Sequence, residues 1–114
     1  MNQENSSLIK SGKGGFFEQV YDVVKKIPVG KVTTYGEIAR VLGTKDARRV
    51  GHALHSNPYE GMVPCHRVVS KLGKLAPNFA FDGETEQRSR LLAEGVVFVD
   101  ASTVNMHRCS FVFT

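Results

Sequence analysis

No apolar run in this chain approaches the roughly 20 residues that a membrane span requires. The polar start, MNQENSSLIK, lacks the apolar core of a signal peptide. These absences point to a cytoplasmic protein, or a nuclear one in a cell that has a nucleus, with no membrane partner. Cysteine is scarce, with only Cys65 and Cys109. A reducing compartment disfavours a bridge between them, and a domain with 41% apolar residues does not need one. No C-x-x-C spacing occurs, and neighbours such as Cys65 and His66 seldom ligate one ion, so no metal is expected. At 114 residues the chain holds one core and not two. It shows no internal repeat, interdomain linker or low-complexity tract.

What is present is an uneven distribution of charge. The net charge is +4, but residues 25–81 carry ten Lys/Arg against three acids, a balance of +7. Residues 82–100 carry two bases against five acids, a balance of −3. Such segregation describes a solvated face, and equally the footprint of a surface that meets nucleic-acid phosphates.

Residues 1–14 are polar and read as a disordered arm, leaving 15–114 as the folded domain. Phe16, Val20, Val23, Val24 and Ile27 recur at helical spacing, and Pro28 and Gly30 stop that helix. Val32 and Thr33 read as extended. Thr34-Tyr35-Gly36-Glu37 has the form of a capping box opening a helix through Ile38, Ala39 and Leu42, ended by Gly43. Thr44 or Asp46 caps a third helix that runs to about His55, stopping before Asn57-Pro58. Its apolar side is Ala47, Val50 and Leu54; Arg48, His52 and His55 lie opposite, with Arg49 alongside. Two short helices joined by a glycine turn, the second with a basic face, make a helix-turn-helix pattern. Val68-Val69 and the stretch to Leu75 suggest a strand and a tight turn, and residues 76–83 an aromatic loop. Residues 84–94 read as a helix with Leu91 and Leu92 inward, ended by Gly95. Residues 96–99 and 111–113 look like strands that could pair with each other. The expected fold is mainly α with short β strands, a winged-helix-like helix-turn-helix DNA-binding domain.

Pro64-Cys65-His66-Arg67-Val68 is the densest cluster of chemistry in the chain. A thiol reacts as the thiolate, and cationic or imidazole neighbours raise the thiolate fraction at neutral pH. Pro64 fixes its own φ and biases Val63 toward extended backbone, so Cys65 stands on a stiff segment. Taken alone, the pentapeptide fits a buried turn cysteine as well as a nucleophile.

Together, the basic helix-turn-helix with ARRVG, Asn57-Pro58, PCHRV and Glu94-Gly95 resemble the DNA-binding, active-site domain of the alkylguanine-DNA alkyltransferases over roughly residues 15–99. The resemblance implies a single-turnover, cofactor-free repair protein that binds duplex DNA in the minor groove, flips 6-O-alkylguanine and takes the alkyl group onto Cys65. It implies that His66 helps deprotonate Cys65 through a water, that Glu94 orients His66, and that Tyr35 donates a proton to the leaving guanine. Arg48 would fill the vacated stack. The DNA-facing set is then Thr34, Tyr35, Arg48, Arg49, Gly51 and His52. Asn57 would tie the helix-turn-helix to the cysteine segment, and Pro64 and Arg67 would anchor the loop. A monomer is expected.

The match departs from the family after the cysteine. A Gly-Gly-Tyr stretch and a glycine-rich turn are usual there, whereas residues 75–81 read Leu-Ala-Pro-Asn-Phe-Ala-Phe. Gln87 stands where a lysine is common. These departures lean toward the related alkyltransferase-like proteins, which flip alkylated guanine without transfer and recruit excision-repair proteins. Their reactive cysteine is commonly replaced by tryptophan, and this chain keeps Cys65 and has no tryptophan. A competent transferase is therefore the favoured reading, a sensor the alternative, and a helix-turn-helix regulator with an incidental Cys65 the third.

Overall fold

The computed structural model describes residues 15–59, 61–77 and 83–114. The arm expected over residues 1–14, and the aromatic residues of the 76–83 loop, lie outside them. The described chain is mostly helical with short strands, built around a helix-turn-helix. None of its helices is long and apolar enough to cross a membrane.

Helix α1 (Phe16–Val24) buries Val20, Tyr21, Val23 and Val24. It ends before Pro28, and Ile27 is buried from the following turn instead. Strand β1 (Thr33–Thr34) leads directly into α2 (Tyr35–Val41), whose N-cap is Thr34, with Oγ1 accepting from Glu37 N at 3.0 Å. The reciprocal half of the capping box is not made. Both Glu37 oxygens are taken by Arg40, and Oε2 also accepts from Phe113 N at 3.0 Å.

Gly43, at φ +78°, closes α2 through Gly43 N to Arg40 O and Thr44 N to Ala39 O. That paired arrangement satisfies the last carbonyls and turns the chain toward the next helix. Helix α3 (Ala47–His55) is capped by Asp46, whose Oδ1 accepts from Arg49 N at 3.0 Å, and buries Val50 and Ala53.

A 3-10 turn (Cys65–Arg67) follows the loop after α3 and runs straight into β2 (Val68–Val69). Strand β2 pairs in parallel with β1, Thr33 opposite Val68 and Thr34 opposite Val69. Parallel neighbours need a crossover connection, and here the crossover is α2, α3 and the cysteine turn. The strands are only two residues long, about 7 Å, so the start of α2 and the cysteine turn are held close together. Val68 and Val69 face opposite ways, as alternation along a strand demands. Val68 joins the core of α1, α2 and α3; Val69 joins a second cluster with Val32, Leu91, Val96, Val104 and Cys109.

Helix α4 (Glu84–Ala93) has Glu94 as its C-cap and Gly95 beyond it. Leu91 is fully buried, but Leu92 is exposed, contrary to the expectation that both face inward. The inward stripe is Gln87, Leu91 and Glu94, at i, i+4 and i+7. Strand β3 (Phe98–Asp100) pairs antiparallel with β4 (Thr103–Val104), not with residues 111–113. A short helix α5 (Met106–Cys109), capped by Asn105 and unanticipated from the sequence, turns the chain back. The last residues then lie beside β1, with Val32 bridging Ser110 in parallel and Phe111 N donating to Val32 O at 2.7 Å. The tail satisfies Val32 N, Val32 O and the Thr33 hydroxyl, through Cys109 O, Phe111 N and Phe111 O, and packs Phe113 partly buried against the helical core.

Candidate active site

Cys65 opens the 3-10 turn, half-buried against the three-helix core. Asn57, two residues past α3, reaches its sulfur. Asn57 Oδ1 accepts from Tyr59 N at 2.8 Å, forming an Asx turn. With the oxygen so engaged, the nitrogen end is presented to the sulfur, and Nδ2 donates to Cys65 Sγ at 3.1 Å. A donor on sulfur favours the thiolate. Asn57 thus joins the segment after α3 to the cysteine turn by a direct side-chain contact. Tyr59 is itself fixed on α1, its hydroxyl donating to Glu18 and its ring standing edge-on to Tyr21 at 5.5 Å.

His66 and Arg67 converge on Glu94. His66 Nε2 lies 2.8 Å from Glu94 Oε2, Arg67 Nε donates to Oε1 at 2.9 Å, and Arg67 Nη2 donates to Oε2 at 2.8 Å. Arg67 Nη1 donates to Ile27 O at 2.8 Å, so its fork joins α4 to the turn after α1. Gly30 allows this turn to sit close to Glu94, whose carbonyl oxygen is 3.3 Å from the position a Cβ would take.

Burial pushes the Glu94 carboxyl up, but the hydrogen bonds from Arg67 and His66 outweigh it and hold the group below the usual carboxylate range. Burial draws His66 below the ordinary imidazole value, against the opposing pull of Glu94 and with help from Arg67 and Arg90. At neutral pH the imidazole is therefore neutral beside an ionised carboxylate. A carboxylate only accepts, so Nε2 carries the ring proton and Nδ1 keeps a lone pair. The arrangement leaves Nδ1 as the acceptor nitrogen of the ring.

Tyr35 is the first residue of α2. Burial, then the nearby Cys65 sulfur, raise its hydroxyl above the ordinary tyrosine range, so it stays protonated. Gly51 on α3 leaves room for its ring, which lies 3.8 Å from where a Cβ would stand. Arg48, His52 and His55 lie on the exposed side of α3. Arg49 sits 4.3 Å above the Phe16 ring, and His52 is 5.9 Å from Phe17. Both therefore also hold α3 to α1, which the basic-face reading had not anticipated. Thr34 is engaged as the α2 cap.

Of the residues near the cysteine, Tyr21 was not singled out in the sequence, and Gln87 only as a departure from a common lysine. Tyr21 is buried, donates to Ala53 O at 2.7 Å, and has its hydroxyl raised by burial and then by the Cys65 sulfur. It follows Val20 on the buried side of α1, so an apolar stripe could not single it out. Gln87 is fully buried and bonds to Ala76 N, His66 O and Val68 O. Its signal was its spacing: a polar side chain four residues before Leu91, on the core face. No disulfide joins Cys65 and Cys109, which belong to different packing clusters.

A helix-turn-helix joined through Asn57 to a cysteine turn, whose histidine and arginine both bond Glu94, defines a domain of the alkyltransferase type. Residues 15–96 match the family model described as the DNA-binding domain of 6-O-methylguanine DNA methyltransferase. The chain belongs to that family. It is 46% identical over 89 residues to alkyltransferase-like protein 1 of Schizosaccharomyces pombe, covering 76% of this chain and 82% of that one. The methylated-DNA–protein-cysteine methyltransferase of Thermococcus barophilus is 52% identical over 59 residues, which span 51% of this chain and 33% of that protein. Among solved structures, S. pombe Atl1 in complex with damaged DNA containing O6-carboxymethylguanine superposes with a TM-score of 0.76 at 36% identity, covering 90% of this chain and 98% of that one.

Proposed function

We propose that the protein binds duplex DNA containing 6-O-alkylguanine, turns the damaged base out of the stack and transfers its alkyl group to Cys65. The observation that carries this reading is the cysteine turn: a sulfur receiving the Asn57 N–H, followed in the chain by a neutral imidazole whose Nε2 is bonded to Glu94. A thiol cannot reach the guanine oxygen inside a duplex, so extrusion must precede chemistry at a cost of a few kcal/mol. Arg48, exposed on α3, enters the vacated stack in this reading. In the transfer step the thiol proton passes through water to His66 Nδ1. The bond from sulfur to the alkyl carbon forms as the carbon–oxygen bond breaks. The departing guanine takes a proton from Tyr35, which is restored from His66 through solvent. The thioether is stable, so each molecule acts once, and no cofactor takes part.

The basic 25–81 stretch supplies phosphate contacts, and minor-groove binding suits a protein that must find damage in any sequence. A second reading is a sensor that binds and flips the lesion without transfer and recruits excision repair. It is supported by the likeness to alkyltransferase-like protein 1 over most of both chains and by the altered stretch after the cysteine. The two readings separate when a 6-O-methylguanine duplex and an undamaged duplex are compared in parallel by fluorescence polarisation and intact-protein mass spectrometry. Transfer predicts preferential binding with a stoichiometric mass gain. Preferential binding at unchanged mass makes the protein a sensor, and equal binding to both duplexes rejects both readings.

A further inference from the structure

Gln87 is the one polar residue on the inner stripe of α4 that carries no charge and yet is wholly buried. Burying an amide is costly unless its hydrogen bonds are made, and the partners of this one are informative. The cysteine turn satisfies part of its own backbone: Arg67 N donates to Pro64 O, and Val68 N donates to Cys65 O. The His66 and Val68 carbonyls are taken by Gln87 Nε2, at 3.1 and 3.0 Å. Gln87 Oε1 accepts from Ala76 N at 2.7 Å, bringing the chain beyond β2 to the same amide. Two helical turns further on, Glu94 holds the side chains of His66 and Arg67. Helix α4 thus grips the reactive turn by two separate handles, one on its backbone and one on its side chains.

We propose that Gln87 is a positioning residue for alkyl transfer: it fixes the backbone on either side of Arg67 so that the Cys65 sulfur and His66 Nδ1 keep their mutual register. This rests on the transferase reading above. The glutamine is chemically specific, because only an amide can donate to two carbonyls and accept from an N–H at once. Leucine fills the volume and meets none of these needs. Lysine donates to both carbonyls but leaves Ala76 N without its acceptor.

The test is single-turnover methyl transfer from a 6-O-methylguanine duplex at saturating DNA, with lesion affinity measured separately, for Gln87→Leu and Gln87→Lys. Misplacement of a reacting group by about 1 Å costs up to about 100-fold in rate. Gln87→Leu is expected to lose about tenfold or more in the transfer rate, with lesion affinity changed by less than about threefold. Gln87→Lys, which keeps both carbonyl bonds, is expected to stay within about threefold of the parent rate. A purely structural role would lower thermal stability in both variants and leave the saturated rate of the folded protein unchanged, and that result overturns the proposal. Should Gln87→Leu fail to fold, Gln87→Lys decides: a rate lowered as far as affinity is retained, despite both carbonyl bonds, removes the backbone grip as the cause. If the parent protein transfers nothing, the transferase reading is what has failed. The positioning claim is then judged by the rate at which iodoacetamide modifies Cys65 in the free protein, followed on the Cys65 peptide. An identical rate in the parent and a folded Gln87 variant lacking the carbonyl bonds contradicts it.

Discussion

Replacing Glu94 by glutamine tests the relay at its pivot. The carboxylate receives three hydrogen bonds, two from Arg67 and one from His66, with the His66, Arg67 and Glu94 side chains only 12%, 13% and 18% exposed. Removing one member of a mostly buried charged set leaves the guanidinium without its counter-charge, which costs about 3 kcal/mol. The chemical effect is separate. Glutamine has one acceptor oxygen, and if that oxygen stays with Arg67 its amide N–H groups face His66 Nε2. The ring then moves its proton to Nδ1 to offer Nε2 as acceptor, and the base proposed for the Cys65 proton is lost. General acid–base catalysis is worth about 100-fold or more, so Glu94→Gln should slow single-turnover methyl transfer by about 100-fold. Urea unfolding should show the stability loss, and the rate should be taken well below the unfolding midpoint. A folded Glu94→Gln protein that transfers within about twofold of the parent rate refutes the tautomer argument.

Cys65→Ser should abolish transfer and leave affinity for the lesion duplex within about twofold, because affinity comes mainly from phosphate contacts; a large loss of binding would show that sulfur contacts the base or the fold. Arg48→Ala should reduce preference for the lesion duplex more than affinity for undamaged DNA, and equal losses would confine Arg48 to the backbone. Tyr35→Phe keeps the ring against Gly51 and removes the proton donor, so transfer should slow by about tenfold or more; an unchanged rate rejects the donor role. Acid should weaken the fold. His66, drawn below 6.5 when folded, takes up its proton more readily when unfolded, so stability falls as pH drops below 6.5. Glu94, held below 4.5 when folded, contributes stability that is complete above that value and is lost as pH falls through the folded value. Melting temperatures between neutral pH and about pH 4 should decline, with the lower part of the decline smaller in Glu94→Gln.

The helix-turn-helix was legible because its signals are local. Thr34 and Asp46 cap, Gly43 closes, and Val50 lies on a buried stripe. The cysteine turn was legible because proline, cysteine, histidine and arginine adjoin in sequence. What the sequence concealed is what depends on distant partners. Glu37 has the right spacing for a capping box, but Arg40 and the backbone of Phe113 claim its carboxylate. Residues 111–113 have strand character and no local cue to a partner, and a bridge beside β1 prevailed over pairing with β3. Gln87 was noticed only as a departure from a common lysine. Its importance lies in three backbone groups between 11 and 21 residues away in sequence.

The central claim is that the sulfur at position 65 is the alkyl acceptor. Peptide mapping by mass spectrometry after incubation with a 6-O-methylguanine duplex tests it most directly, because the buried Cys109 provides an internal control in the same protein. One methyl group is expected on the Cys65 peptide and none on the Cys109 peptide. A lesion-bound protein with both peptides unmodified, or a methyl group on Cys109 alone, would contradict it.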